Sequence, residues 1–111
     1  MTPEGKVVAI IRKRIKSAGG LVRKCEWSGV RGAPDLFVML NGHHCWIEAK
    51  AETGRVAPHQ AREHERMRHA GCQVHIVRGE AEADTVVELI EFSKQVSALC
   101  ESSCLGNTNE K

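Results

Sequence analysis

Asn41-Gly42 lies between two apolar runs and limits what this chain can become. The runs are Pro34 to Leu40 and His43 to Lys50. An Asn-Gly pair in that setting signals a two-residue hairpin turn, because the tightest hairpin turn needs positive φ at both central positions. With Asn41 and Gly42 as the turn, Leu40 pairs with His43 and the register runs outward from there. Asp35 then faces Glu48, and Lys50 follows two residues on, on the same face. Opposed residues in an antiparallel pair have Cβ atoms about 4.5–5.5 Å apart. Two carboxylates that close repel unless something positive lies between them. A divalent cation with oxygen ligands would serve, with the lysine ammonium beside it. A single bulge in either strand would offset the pair.

Length and composition allow such a site. The chain has 111 residues, enough for one domain with a single core. Apolar residues make up 41% and charged residues 27%, an ordinary balance for a globular protein. No apolar run approaches the ~20 residues needed to span a bilayer, and the N-terminus lacks a signal-peptide core. The five cysteines, Cys25, Cys45, Cys72, Cys100 and Cys104, are odd in number and widely spread. That pattern favours free thiols over a disulfide framework. The expectation is a soluble protein in a reducing compartment, the cytoplasm of a bacterial or phage-infected cell, with no membrane partner.

The net charge of +2 hides an asymmetry. Residues 1–78 hold 14 Lys/Arg against 7 Asp/Glu, whereas residues 79–111 hold 2 against 7. The basic part contains the hairpin. A phosphate-rich partner fits this distribution, and so do solvated helix faces.

Helix signals flank the hairpin. Thr2-Pro3-Glu4 reads as an N-cap, a first-position proline and a first-turn acid. Val7, Val8, Ile11, Ile15 and Ala18 follow at helical spacing, and Gly19-Gly20 stops the helix. Leu21 to Cys25 reads as a short strand and Glu26 to Ala33 as a glycine-bearing loop. After the hairpin, Ala51 to Ala57 is a second loop. Pro58 opens a second helix that ends near Ala70-Gly71. Cys72 to Val77 is a strand, and Glu80, Glu82 and Asp84 suit the start of a third helix. The domain is expected over residues 1–96, with a flexible C-terminal tail over 97–111.

Both hairpin faces are largely apolar. Leu36, Val38, Leu40, Cys45 and Ile47 share one; Phe37, Met39 and Trp46 share the other, with Asp35 and Glu48 at its end. A sheet apolar on both faces needs cover on both, which predicts an α/β sandwich. Glu4 sits one helical turn before Val7 and Val8 and continues their stripe, so it is expected to point toward the sheet. A first-turn glutamate also favours the helix dipole with no further role.

Gly32-Ala33-Pro34-Asp35-Leu36, followed by Ile47-Glu48-Ala49-Lys50, resembles the PD-(D/E)XK nuclease superfamily. The helix carrying Glu4, the Gly-x-Pro-Asp-Leu form and the downstream Gln60 are similar to the VRR-NUC family in particular, over about residues 1–92. Val77-Arg78-Gly79 holds one arginine where the family name points to a pair. The resemblance implies a restriction-endonuclease-like αβββαβ(α) sandwich, a mixed sheet with helices on both faces. It also implies a phosphodiesterase that uses Mg²⁺ or Mn²⁺. By the same resemblance Asp35, Glu48 and the Ala49 carbonyl bind the metal, and Glu4 completes the acidic cluster directly or through water. Lys50 orients or deprotonates the attacking water, and Gln60 supports the site from the second helix.

The residue types suit that chemistry. A phosphodiester resists attack because it is anionic. A hard cation held by carboxylates neutralises an oxygen of the phosphate and acidifies bound water. A lysine adds charge where negative charge develops.

Other features are weaker. There is no Cys-x-x-Cys, and His43 and His44 point to opposite faces of a strand. His59, His64 and His69 are five residues apart, about 140° of helix rotation each, so they share no face. Packing and surface roles suit these histidines better than zinc. Trp27 in the loop before Asp35 fits stacking on a base, or covering the core edge. Arg31 in the same loop, Arg12, Lys13, Arg14 and Lys16 on the first helix, and Arg62, Arg66 and Arg68 on the second fit phosphate contacts or solvated faces.

The function expected is metal-dependent hydrolysis of DNA. Small stand-alone members of the family resemble Holliday-junction resolvases, so branched DNA cut by a homodimer in repair or recombination leads. A flap or general endonuclease beside a helicase partner is the alternative within the class. A non-catalytic DNA-binding module is the rival outside it, and it does not explain why Asp35, Glu48 and Lys50 are all present.

Overall fold

Asn41 and Gly42 adopt φ of +49° and +83°, the conformation of a primed hairpin turn. The register beyond them is the one the turn dictates, from Leu40↔His43 to Leu36↔Ile47. This is a computed structural model, and it describes residues 1–92. Its elements are α1 (Pro3–Ser17), β1 (Leu21–Lys24), β2 (Leu36–Leu40), β3 (His43–Lys50), α2 (Pro58–His69) and β4 (Val74–Arg78). A third helix, α3, spans 79–92. The expected order αβββαβα is found. The expected domain end at 96, the tail over 97–111, Cys100 and Cys104 lie outside the described residues.

The strands form one mixed sheet in the order β1-β2-β3-β4. β1, β2 and β3 run antiparallel, and β4 joins β3 in parallel after the α2 crossover. Local signals set the helix ends. Thr2 Oγ1 accepts from Gly5 N at 3.0 Å and caps α1. Cys72 N still donates to Met67 O at 2.9 Å, closing the end of α2. Cys72 therefore belongs to the cap, and the fourth strand starts at Val74, two residues later than its apolar pattern predicts.

One sheet face is dry. Leu36, Val38, Leu40, Cys45, Ile47, Ala49 and Val77 meet Val7, Ile11 and Ile15 of α1 and Ala83, Val86, Val87 and Ile90 of α3. Arg14 pairs with Asp84 at 2.9 Å and ties the two helices together. The other face is only partly covered. His64 and Met67 of α2 are buried over the β3–β4 half, while Phe37, Met39 and Trp46 are half-buried and His44 is exposed. The expected second cover is thus present but incomplete. A helix is about 10 Å across and strands lie about 4.8 Å apart, so a single helix shields about two of the four strands. Among the described residues no helix is long and apolar enough to cross a membrane. Among the described residues Cys25, Cys45 and Cys72 form no disulfide with one another.

Candidate active site

The β2–β3 ladder stops at Leu36↔Ile47, one pair short of Asp35 and Glu48. At that point the sheet opens. Asp35 turns its side chain into the gap, and its Oδ2 accepts from Ala49 N at 2.9 Å. The N–H and C=O of one residue in an extended strand leave on the same side. The Ala49 carbonyl therefore faces the edge that β2 has vacated. Asp35 is anchored on its own backbone too, since its carbonyl accepts from Cys25 N at 2.8 Å.

Glu48 projects to the opposite side of β3 from the dry core, beneath α2, and is 1% exposed. Gln60 meets it there. Gln60 Nε2 donates to Glu48 Oε2 at 3.0 Å. Gln60 Oε1 accepts from Lys50 Nζ at 3.1 Å and from Ala57 N at 3.0 Å. The same side chain thus caps the start of α2 and bridges the two strand residues. Lys50 Nζ also lies 3.3 Å from Glu48 Oε2. Proline at the start of α2 fixes where the helix begins, and so fixes Gln60 over the strand end.

The loop before Asp35 is seated on the same helix turn. Gly32 has φ +102°, and a Cβ there would lie 2.6 Å from His59 O and 3.1 Å from Gln60 Cα. Only glycine allows this approach. Pro34 behind it is fully buried. Gly32 therefore sets the spacing between Asp35 and Gln60.

Glu4 departs from its expected direction. Its side chain is exposed, not buried against the sheet. The buried stripe of α1 starts at Val7, one turn after Glu4. Glu4 still lines a cleft of about 330 Å³ with Thr2, Arg12, Lys24, Asp35 and Ala49. Glu4 thus approaches from the α1 side, Glu48 lies under α2, and Asp35 stands at the sheet end between them. Among the described residues no three His, Cys, Asp or Glu side chains are gathered as a ready metal cage.

The electrostatics single out Glu48. Burial, and then the nearby Asp35 carboxylate, push its carboxyl up to about 7, while Lys50 and Gln60 pull the other way. Its Oε1 is buried and has no hydrogen-bond partner among the described residues. His64, 0% exposed, sits beside it with Nε2 at 3.7 Å. Both His64 nitrogens are also without partners. Burial, and then Arg68, hold the His64 imidazole below its usual pKa. The sequence alone suits His64 to a packing or surface role. The available signal was its spacing of four from Gln60, which puts the two on one helix face.

The other sequence candidates do not join this cluster. Trp27 is half-buried and Arg31 exposed in the preceding loop, and Arg62 is exposed on α2. Lys13 lines a groove between α1 and β1 with Arg12, Lys16 and Arg23, and Arg12 continues that groove into the Asp35 cleft. Arg66 and Arg68 are paired with Glu63 and Glu65. Arg78 is a structural tie: its Nε donates to Gly54 O at 3.0 Å and holds the loop after β3. The assembled site thus offers hard oxygen donors, an ammonium group fixed beside them and a basic approach.

No protein-family model matches the chain. A solved structure described as "VRR_NUC domain" superposes with a TM-score of 0.74 at 40% identity, over 79% of this chain and 97% of that one. A "VRR_NUC domain protein" superposes with a TM-score of 0.60 at 19% identity, over 81% of this chain and 86% of that one, which speaks to the fold alone. "Putative nuclease p44" of Acyrthosiphon pisum secondary endosymbiont phage 1 is 39% identical over 61 residues, 54% of this chain and 66% of that protein.

Proposed function

The chain belongs to the VRR_NUC domain family, and from that premise we propose that it is a divalent-metal-dependent DNA endonuclease. The observation that carries the proposal is the Glu48–Gln60–Lys50 network beside Asp35 at the open end of the sheet. Nuclease activity is also the one named for the phage relative.

The residues fit a hard cation. Two carboxylates and a strand-edge carbonyl are oxygen donors of the kind Mg²⁺ and Mn²⁺ take. Among the described residues Glu48 Oε1 is a buried acceptor without a partner, and its two lone pairs leave room for a cation as well as a donor. Asp35, Glu48 and the Ala49 carbonyl would hold the ion, with Glu4 reaching it directly or through water. When bound, the ion supplies charge neutralisation at the phosphate and an acidified water. The remaining work belongs to side chains. Lys50, held by Gln60 and Glu48, presents its Nζ to the attacking water and the developing phosphate charge. Gln60 fixes both partners, and Gly32 keeps Asp35 in step with them. Arg12, Lys13, Lys16 and Arg23 supply a phosphate path along α1 and β1 that leads to Asp35. Among the described residues Arg12, Lys13 and Lys16 have no carboxylate partner, unlike Arg66 and Arg68. That contrast favours the α1 groove over α2 as the DNA track. Trp27, Arg31 and Arg62 stay as outer contacts.

Branched DNA cut by a homodimer is the preferred form. The half-exposed patch of Leu21, Phe37, Met39 and Trp46 supports it, because a second copy would complete the cover that α2 leaves unfinished. A flap or general endonuclease beside a helicase is the second reading, and the basic groove alone suits it equally. Labelled duplex, flap and four-way-junction DNA, each with Mg²⁺, Mn²⁺ or EDTA, test these forms. Metal-dependent cutting strongest on the junction, by a protein that sediments as a dimer, is expected. Equal cutting with EDTA would end the metal reading. A monomer that cuts flaps best would replace the resolvase form.

A further inference from the structure

Among the described residues three buried polar atoms without partners lie at one spot: Glu48 Oε1, His64 Nε2 and His64 Nδ1. Leaving a buried donor or acceptor unpaired is costly, so such a group in a native core calls for a reason. The two oxygens of Glu48 are unequal. Oε2 faces two donors, Gln60 Nε2 at 3.0 Å and Lys50 Nζ at 3.3 Å. Oε1 faces none, and a carboxylate oxygen can be satisfied only by a donor or a cation. His64 Nε2 lies 3.7 Å from it, a few tenths beyond hydrogen-bond range.

His64 also occupies a position that asks for an apolar side chain. It lies on the buried stripe of α2 with Met67, and it is 0% exposed. A leucine would fill such a place at lower desolvation cost. An imidazole with one ring N–H has one donor to give. Gln60 and His64 are one turn apart, so α2 reaches Glu48 with two side chains, one for each oxygen.

Resting on the metal-dependent reading above, we infer that His64 is a positioning residue: its Nε2–H donates to Glu48 Oε1 and orients the carboxylate that takes the metal. The 3.7 Å separation is the loose form, since hydrogen bonds around a reacting centre are often long in the free protein and tighten when the site is filled. The nitrogen left as acceptor, Nδ1, stays buried against α2. Groups that hold a metal ligand in place typically change metal affinity 10–100-fold when removed.

Titration calorimetry of the full chain, freed of metal, with Mn²⁺ tests the inference. Wild type, His64→Leu and His64→Gln are compared after circular dichroism shows each folded. His64→Leu is expected to weaken Mn²⁺ binding about 10–100-fold, and His64→Gln, which keeps a donor, to recover most of the loss. His64→Leu binding as tightly as wild type would overturn the role and leave a space-filling histidine. Wild type that binds no Mn²⁺ would remove the metal reading itself, and this inference with it. Imidazole ¹⁵N spectra of wild type need no variant. The Nε2-protonated tautomer is expected, with its resonance moving on Mg²⁺ addition. The Nδ1-protonated tautomer, or a resonance indifferent to Mg²⁺, would contradict the inference even if His64→Leu failed to fold.

Discussion

The two faces of one sheet divide the work of this molecule. β2 and β3 send alternate side chains to each face, so neighbours in sequence have opposite fates. Ile47 is 0% exposed in an apolar layer closed by α1 and α3. Glu48, next to it, is as deeply buried but lies among Gln60, Lys50 and His64. The first burial drives folding, because apolar surface leaves water. The second opposes it, because a carboxylate loses its solvent. Burial on the α1/α3 face thus serves stability, and burial on the α2 face serves the proposed site.

The largest blow to that division comes from the dry face. Ile47→Ala is expected to cost about 2–5 kcal/mol of stability, a large share of a small domain's total. Urea denaturation measures it, and a loss below about 1 kcal/mol would mean the α1/α3 layer does not carry the fold.

The next effect concerns Glu48 in the metal-free protein. Its carboxyl rises from 4.5 to about 7 on folding, so the folded state keeps a proton that the unfolded chain releases. The stabilisation is whole below the unfolded value and is lost as pH climbs through the folded one. The difference is on the order of 3 kcal/mol. Glu48→Gln should remove this part of the pH slope and match or exceed wild-type stability at about pH 8. Identical slopes in the two proteins, followed by chemical denaturation in EDTA, would contradict the buried-carboxylate picture.

A smaller effect tests the join between site and scaffold. Gly32→Ala meets both a left-handed φ and His59 O at 2.6 Å. A cost of about 1–3 kcal/mol is expected, with a larger fall in cleavage than stability alone explains, since Asp35 and Gln60 move apart. Thermal melts and cleavage rates on the same preparation separate the two.

Much of this was legible in the residues. Asn41-Gly42 fixed a register that held through five pairs, because a two-residue turn leaves the strands no slack. Thr2-Pro3 and Pro58 marked helix starts by removing conformations the chain would otherwise sample. The losses were tertiary. Cys72 belongs to strand pattern and helix cap alike, and only the Met67 carbonyl decides between them. Glu4 is exposed because burial on α1 begins only at Val7, a tertiary boundary that helical spacing cannot report. The uncovered patch at Phe37 and Met39 follows from the width of one helix against four strands. The neighbour that matters to His64 is Gln60, four residues before it, and not the other histidines, with which it shares no helix face.

The most direct test of the central claim is the cleavage rate of DNA in Mn²⁺ by wild type and Lys50→Ala, with both shown folded. Lys50 touches Glu48 and Gln60 but no part of the dry core. The account predicts metal-dependent cutting by wild type that falls roughly 10²–10³-fold or more in the variant, at little cost in melting temperature. Equal cutting by both proteins would contradict it, and so would loss of cutting explained entirely by unfolding.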